Sequence, residues 1–231
     1  LWGCNISINR TGARMRPASS LIASLIATLL ASPAPAGPVP FDDTWSTQRF
    51  SLFSSNTYGF EGDAVSILSD GTVSMAYRQV EPAQWGAKRA AWGWEVSRSV
   101  PATDLTLKGG DDRNASLYFV FMPPQEARAL GAKPGIRKLL TAESARVLVY
   151  VWGDNRARGT MLDSPYLGKH GKTIVLRKAG TGRYSEKVNL AADYARAFGG
   201  PAGALVGLAV SADSDDTDTT IRARITGLSL N

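Results

Sequence analysis

The 231-residue chain has one cysteine, Cys4, and one histidine, His170. A lone thiol excludes a disulfide framework and Cys-based redox motifs, and a lone imidazole excludes zinc fingers and any two-histidine metal centre. A Ser–His–Asp triad would have to run through His170. No strong excess of charge is present either: 26 basic against 20 acidic residues give a net +6. No apolar run reaches the roughly 20 residues of a membrane span. The 23 glycines and 12 prolines are too dispersed for collagen and form no low-complexity tract outside residues 33–40.

The first recognisable pattern starts at Met15. Arg16 is followed by the apolar run from Leu21 to Leu30 and then by Ala34-Pro35-Ala36. A basic start, a short apolar stretch and a small-x-small end make a secretory signal. Residues 1–14 then read as a translated upstream segment, 15–36 as the signal peptide and 37–231 as one domain. Cleavage after Ala36 would remove Cys4 and three arginines with no acid, lowering the net charge to +3. The expectation is an exported protein, periplasmic or secreted, with no transmembrane segment once the signal is gone. Nucleic acid is not the expected partner, since that would call for basic residues clustered on one face.

From Phe41 onward the dominant period is two, the period of strands. Ala90, Trp92, Trp94 and Val96 alternate with Ala91, Gly93, Glu95 and Ser97. Val65 and Ile67 precede Asp70-Gly71, and Val73, Met75 and Tyr77 follow it, which reads as a hairpin. The runs 117–122 and 147–152 are apolar on both faces, so they are expected to be central strands with something covering the second face. Further strands are expected near 48–53, 172–178, 204–211 and 219–230. One helix is expected near 190–198: Leu190, Tyr194 and Phe198 recur at helical spacing, Asn189 can cap it and Gly199-Gly200-Pro201 stops it. A second helical turn is expected within 125–130. The fold class is therefore all-β, an antiparallel sandwich of jelly-roll type with one short helix.

Several segments in order, Trp92-Gly93-Trp94-Glu95-Val96, Lys108-Gly109-Gly110-Asp111-Asp112, Tyr118-Phe119-Val120-Phe121, Tyr150-Val151-Trp152, Ser164-Pro165-Tyr166 and Asp213-Ser214-Asp215-Asp216-Thr217, resemble the bacterial family catalogued as domain of unknown function 3047. The resemblance runs from about Phe41 to the C-terminus. It implies an exported, β-rich protein of an uncharacterised family and brings no catalytic residue with it. Where that family carries an Ala-Arg pair before the Tyr-x-Val-Phe strand, this chain has Ser116-Leu117, so no arginine role transfers.

Candidate site residues fall into two groups. Aromatic rings pack on the C–H faces of sugars, which makes exposed rings candidate glycan platforms. Trp92 and Trp94 read as core. Tyr150 and Trp152 share one face of a strand that is apolar on both, and Trp85 sits in a loop-like stretch, so these three are the ligand-binding candidates, with Lys108, Asp111 and Asp112 beside them. The second group is Asp213, Asp215, Asp216 and Asp218, which crowd one inter-strand loop. Closely spaced carboxylates need solvent, basic partners or a hard cation. Calcium is the candidate metal, although the loop lacks the glycine and glutamate of a calcium hand, and no other cofactor is expected. Because both acidic segments precede strands, Asp111 and Asp112 are expected to converge with 213–218, with Lys108 and Arg113 among them. His170, between Lys169 and Gly171, reads as an exposed turn residue.

The leading reading is a non-catalytic carbohydrate-binding β-sandwich whose partner is a glycan or cell-envelope component. The alternatives are an envelope carbohydrate-active enzyme using an acidic pair, and an envelope structural or assembly module. Two carboxyls in one cleft, one of them with a raised pKa, would favour the enzyme.

Overall fold

A computed structural model describes residues 1–3, 37–52, 54–130 and 135–231. The expected signal peptide and most of the segment before it lie outside the described residues. The chain divides into two units, Leu1–Pro33 and Ala34–Asn231. All described strands and helices belong to the second.

Two sheets stack face to face. The first contains β1 (Gly37–Pro38), β3 (Thr57–Phe60), β4 (Ala64–Asp70), β6 (Arg89–Arg98), β11 (Gly182–Asn189) and β13 (Thr220–Leu230). Its order is β11-β6-β13-β4-β3, with β1 also paired to β13. The second contains β2 (Ser46–Arg49), β5 (Val73–Gln79), β7 (Arg113–Met122), β8 (Arg146–Trp152), β9 (Met161–Ser164), β10 (Gly168–Arg177) and β12 (Ala204–Asp213), ordered β2-β5-β12-β7-β8-β10-β9. The protein is a β-sandwich, as its alternating sequence implies.

Two local expectations need correction. β8 and β10 run parallel in an otherwise antiparallel fold. The stretch 153–167 between them is long enough for the crossover that a parallel pair requires. Asp70-Gly71 does not close a hairpin: β4 pairs with β13 and β3, whereas β5 pairs with β12 and β2. The turn instead carries the chain from one sheet to the other, with Gly71 at φ 57°, a left-handed conformation that glycine adopts without a Cβ clash.

The core between the sheets is aromatic. Trp92 and Trp94 meet edge-on at 5.6 Å, Trp94 lies 5.5 Å from Trp152, and Phe119 packs 5.6 Å from Tyr150. β6 sends Ala90, Trp92, Trp94 and Val96 inward, the face its alternation marks. β7 and β8 are buried on both sides. Their second face carries Tyr118, Val120, Val147 and Val149, covered by Leu105, α1 (Pro124–Ala129) and α2 (Ile136–Thr141). α1 is the expected helical turn. α2 adds a helix that six residues without a full apolar period did not reveal; Ile136 and Leu139 anchor it.

α3 (Leu190–Phe198) follows β11 directly. Asn189 Oδ1 accepts the Ala192 amide at 3.1 Å, and Gly199 ends the helix at φ 76°. Tyr194 meets Phe121 at 5.2 Å. Near the same edge Glu186 of β11 is fully buried, accepting from Trp94 Nε1 at 3.1 Å and from Arg177 Nε of β10 at 2.7 Å. Its other oxygen pairs with Arg158 at 2.7 Å. This carboxylate ties one sheet to the other. Among the described residues no helix is long and apolar enough to cross a membrane.

Candidate functional site

The outer face of the seven-stranded sheet is only partly covered, and the gap is a cavity of about 770 Å³. Its floor is laid by alternate residues of the strands: Val73 and Met75 of β5, Tyr118 of β7, Val149 of β8 and Thr173 of β10. Leu105, Leu140 of α2, Leu167 and Phe50 wall it. Such a cavity is a consequence of period-two strands that are apolar on both faces while the covering segments are short. A volume of this size suits a small organic ligand.

One corner of the cavity is polar. Arg113, at the first position of β7, is nearly buried, and its Nη1 touches Asp111 Oδ2 at 2.7 Å and Asp213 Oδ2 at 3.0 Å. The same nitrogen donates to the Asp111 carbonyl at 2.8 Å, while Nη2 donates to Tyr118 Oη at 2.9 Å. Burial works against the arginine's charge, and Tyr118 with Asp213 and Asp111 more than offset it, so its pKa is raised. Tyr166 Oη donates to Asp111 Oδ1 at 3.1 Å and accepts from the Gly109 amide at 3.3 Å. Lys108 lies 5.7 Å from the Tyr166 ring centre.

Asp213 is the outlier. Its Oδ1 is buried and has no hydrogen-bond partner. Burial pushes its carboxyl up to about 8; Arg113 pulls it down, and Asp215 and Asp111 push it further up. One guanidinium cannot neutralise two buried carboxylates, so the second holds its proton near neutral pH.

The two acidic segments do converge. Asp112 Oδ2 accepts from the Thr217 amide at 2.8 Å and from Thr217 Oγ1 at 2.5 Å, and Oδ1 accepts from the Asp216 amide at 3.3 Å. Asp112 therefore holds the loop after β12 and does not line the cavity. The expected calcium set is divided by the fold. Asp213 is committed to Arg113, and Asp218 turns its carboxyl over Gly71. Asp215 and Asp216 instead group with Asp112, one oxygen of each lying within 4.8 Å of the others. A hard cation would find only oxygen ligands there, in keeping with calcium or magnesium chemistry, but Asp112 already serves three donors.

The aromatic candidates also move. Tyr150 and Trp152 are 0% and 1% exposed, so neither forms a platform; their face of β8 points into the sandwich. Tyr150 Oη instead donates to Asp193 at 2.8 Å. Trp85 is half-buried, with Nε1 donating to the Val80 carbonyl at 2.8 Å. Two exposed rings line the cavity among the described residues, Tyr166 at 61% beside the polar corner and Phe50 at 48%. Sequence reasoning missed Tyr118 and Tyr166 as site residues and gave Arg113 only a neutralising role. The available signal was that Tyr118 lies on the opposite face of β7 from Leu117 and Phe119. His170 was misread as a turn residue: it belongs to β10, lines the cavity, and places Nδ1 3.1 Å from Arg146 Nη1. A second, open groove of about 610 Å³ carries Arg146, Lys169 and Lys172 against Phe198 of α3.

A family model described as protein of unknown function (DUF3047) matches residues 43–229. No curated protein matches the chain in sequence. Among solved structures, the xyloglucanase domain of NopAA, a type three effector from Sinorhizobium fredii in complex with cellobiose, has a TM-score of 0.43 at 7% identity, covering 87% of this chain and 99% of that one. The family 11 xylanase from Neocallimastix patriciarum has a TM-score of 0.39 at 10% identity, covering 81% and 99%. Similarity this distant does not bear on what this chain does.

Proposed function

The chain belongs to the DUF3047 family of proteins of unknown function, and from that premise we propose that it is an exported ligand-binding β-sandwich that takes a carbohydrate-type ligand in the outer-face cavity. The observation that carries this reading is the buried, unpaired Oδ1 of Asp213 at the polar corner. A buried carboxyl oxygen withdrawn from water without a hydrogen-bond partner is costly, and the hydroxyls of a sugar-like ligand can donate or accept there. Tyr166, exposed at the same corner, offers a ring face to the C–H surface of a sugar.

The test is calorimetric titration of the purified chain with a panel of soluble oligosaccharides. Binding is expected, and Tyr166→Ala is expected to weaken it at least tenfold, about 1.4 kcal/mol, without moving the melting temperature. Retention of no saccharide by the folded chain would refute the reading.

A second reading has one specific observation behind it. A carboxyl raised to about 8 beside Asp111 and Asp215 is the state a general acid needs. Asp213 would then protonate a leaving group. Release of reducing ends from a bound oligosaccharide, abolished by Asp213→Asn, would establish the enzyme; unchanged oligosaccharide after prolonged incubation would leave the binding module.

A further inference from the structure

We infer that the ligand of the outer-face cavity is a sugar-headed amphiphile, a molecule of glycolipid type whose aliphatic chain lies on the cavity floor while its hydroxylated head sits at the polar corner. The inference rests on the carbohydrate reading of this cavity and narrows it.

The lining divides into two chemistries. Polar side chains gather at one corner, where Asp111, Arg113, Tyr166 and Asp213 meet. Away from it the strands present Val73, Met75 and Val149, and Leu105, Leu140 and Leu167 stand around them. None of those six side chains donates a hydrogen bond. Ser164, Thr173 and His170 add single polar groups. Two of these are already engaged: Ser164 Oγ accepts the Leu167 amide at 3.2 Å, and His170 Nδ1 lies 3.1 Å from Arg146 Nη1. The division follows from the strands. β7 and β8 are apolar on both faces, whereas the charged residues enter at strand ends, Arg113 as the first residue of β7 and Asp213 as the last of β12.

A bare saccharide matches only the corner. Its hydroxyls project all round the ring, and any of them set against the leucines would leave water without a partner, which is costly. A methylene chain has no polar group to strand and gains by leaving water. A second sugar ring would call for aromatic faces, and the floor and walls away from the corner are mainly aliphatic. The flexible thioether of Met75 adapts to the shape of a chain. The volume of about 770 Å³ lies in the upper half of the range of small-molecule sites, about 300–1,000 Å³, so head and chain can be held together. Phe50 and Tyr166 line the cavity and are exposed, so a ligand can enter beside them.

The experiment titrates the purified whole chain with octyl glucoside, octyl galactoside and octyl maltoside below their micelle concentrations, with the methyl glycosides of the same sugars, and with 1-octanol. At least one octyl glycoside is expected to bind at least about tenfold more tightly than both its methyl counterpart and octanol, a modest demand on the added methylenes. Val149→Phe, which sets a ring over the floor, is expected to cancel the advantage of octyl over methyl. If that variant does not fold, Leu140→Ser, at a half-buried wall position, is expected to reduce the advantage. Octyl glycosides that bind no better than their methyl counterparts, or an advantage that the folded variants keep in full, would overturn the inference and leave the carbohydrate reading standing. Octanol bound as tightly as the octyl glycosides would overturn both, because the head would then go unread. Binding of no octyl glycoside would overturn the inference, and the oligosaccharide titration decides the carbohydrate reading separately.

Discussion

At the scale of single residues, Asp213 concentrates the chemistry of this protein. Its folded pKa of about 8 stands well above the ordinary 3.8. A group whose pKa is raised by folding contributes stability that is fully present below the unfolded value and lost as pH rises through the folded one. The wild type should therefore lose stability between about pH 4 and pH 8 through this carboxyl, by an amount on the order of a few kcal/mol. Asp213→Asn cannot ionise and should be spared that loss. Its melting temperature is expected to exceed the wild type's at pH 9 and to match it near pH 4. Parallel melts across that range decide the matter, and curves with a constant offset would show that Asp213 ionises normally. The sequence marked Asp213 as one acid in a crowded loop. It did not show that the last residue of β12 lies opposite Arg113 across the ladder, because that pairing links positions 100 residues apart.

At the scale of elements, what was legible was the strand pattern, and what was not was partnership. The alternation in β6 fixed which side chains of that strand meet the core, and the apolar faces of β7 and β8 announced two covered sides. The same double-sided pattern hid the difference between Tyr150, which faces the sandwich, and Tyr118, which faces the cavity. Asp70-Gly71 marked a turn correctly, but local chemistry does not say whether the next strand joins the same sheet. Glu186 belongs to this scale, because it ties β11 of one sheet to β10 of the other. Removing one partner of a buried ion pair leaves uncompensated charge and costs about 3–5 kcal/mol. Glu186→Ala strands Arg177, Arg158 and the Trp94 indole N–H, although the arginines are partly exposed and water recovers some of the loss. The expected destabilisation is about 3 kcal/mol, read from the denaturant midpoint. A midpoint that stays within about 0.5 kcal/mol of wild type, the range of ordinary surface changes, would mean that apolar packing alone joins the sheets at this edge.

At the scale of the whole molecule, the two ends of the sandwich meet beside the boundary of the proposed leader. The proposed signal peptide would be cut after Ala36, and the first strand residue among those described is Gly37, which pairs with Leu230. Pro38 pairs with Ser229, and the Val39 amide donates to the Leu228 carbonyl at 2.7 Å. Val39 and Phe41 are already core residues. A cut two or three residues later would therefore break the β1–β13 pairing, whereas a cut after Ala36 keeps every contact among the described residues from Gly37 onward. The prediction is that native protein begins at or near Gly37 and accumulates outside the cytoplasm, and that a chain starting at Gly37 melts within about 1 °C of one carrying the leader. Such a difference corresponds to a few tenths of a kcal/mol for a domain of this size. Intact-mass analysis and N-terminal sequencing of native material test the first part, and paired melts test the second. Soluble cytoplasmic protein that keeps residues 15–36 would refute export, and a markedly lower melting temperature for the shortened chain would show that the leader contributes to the fold.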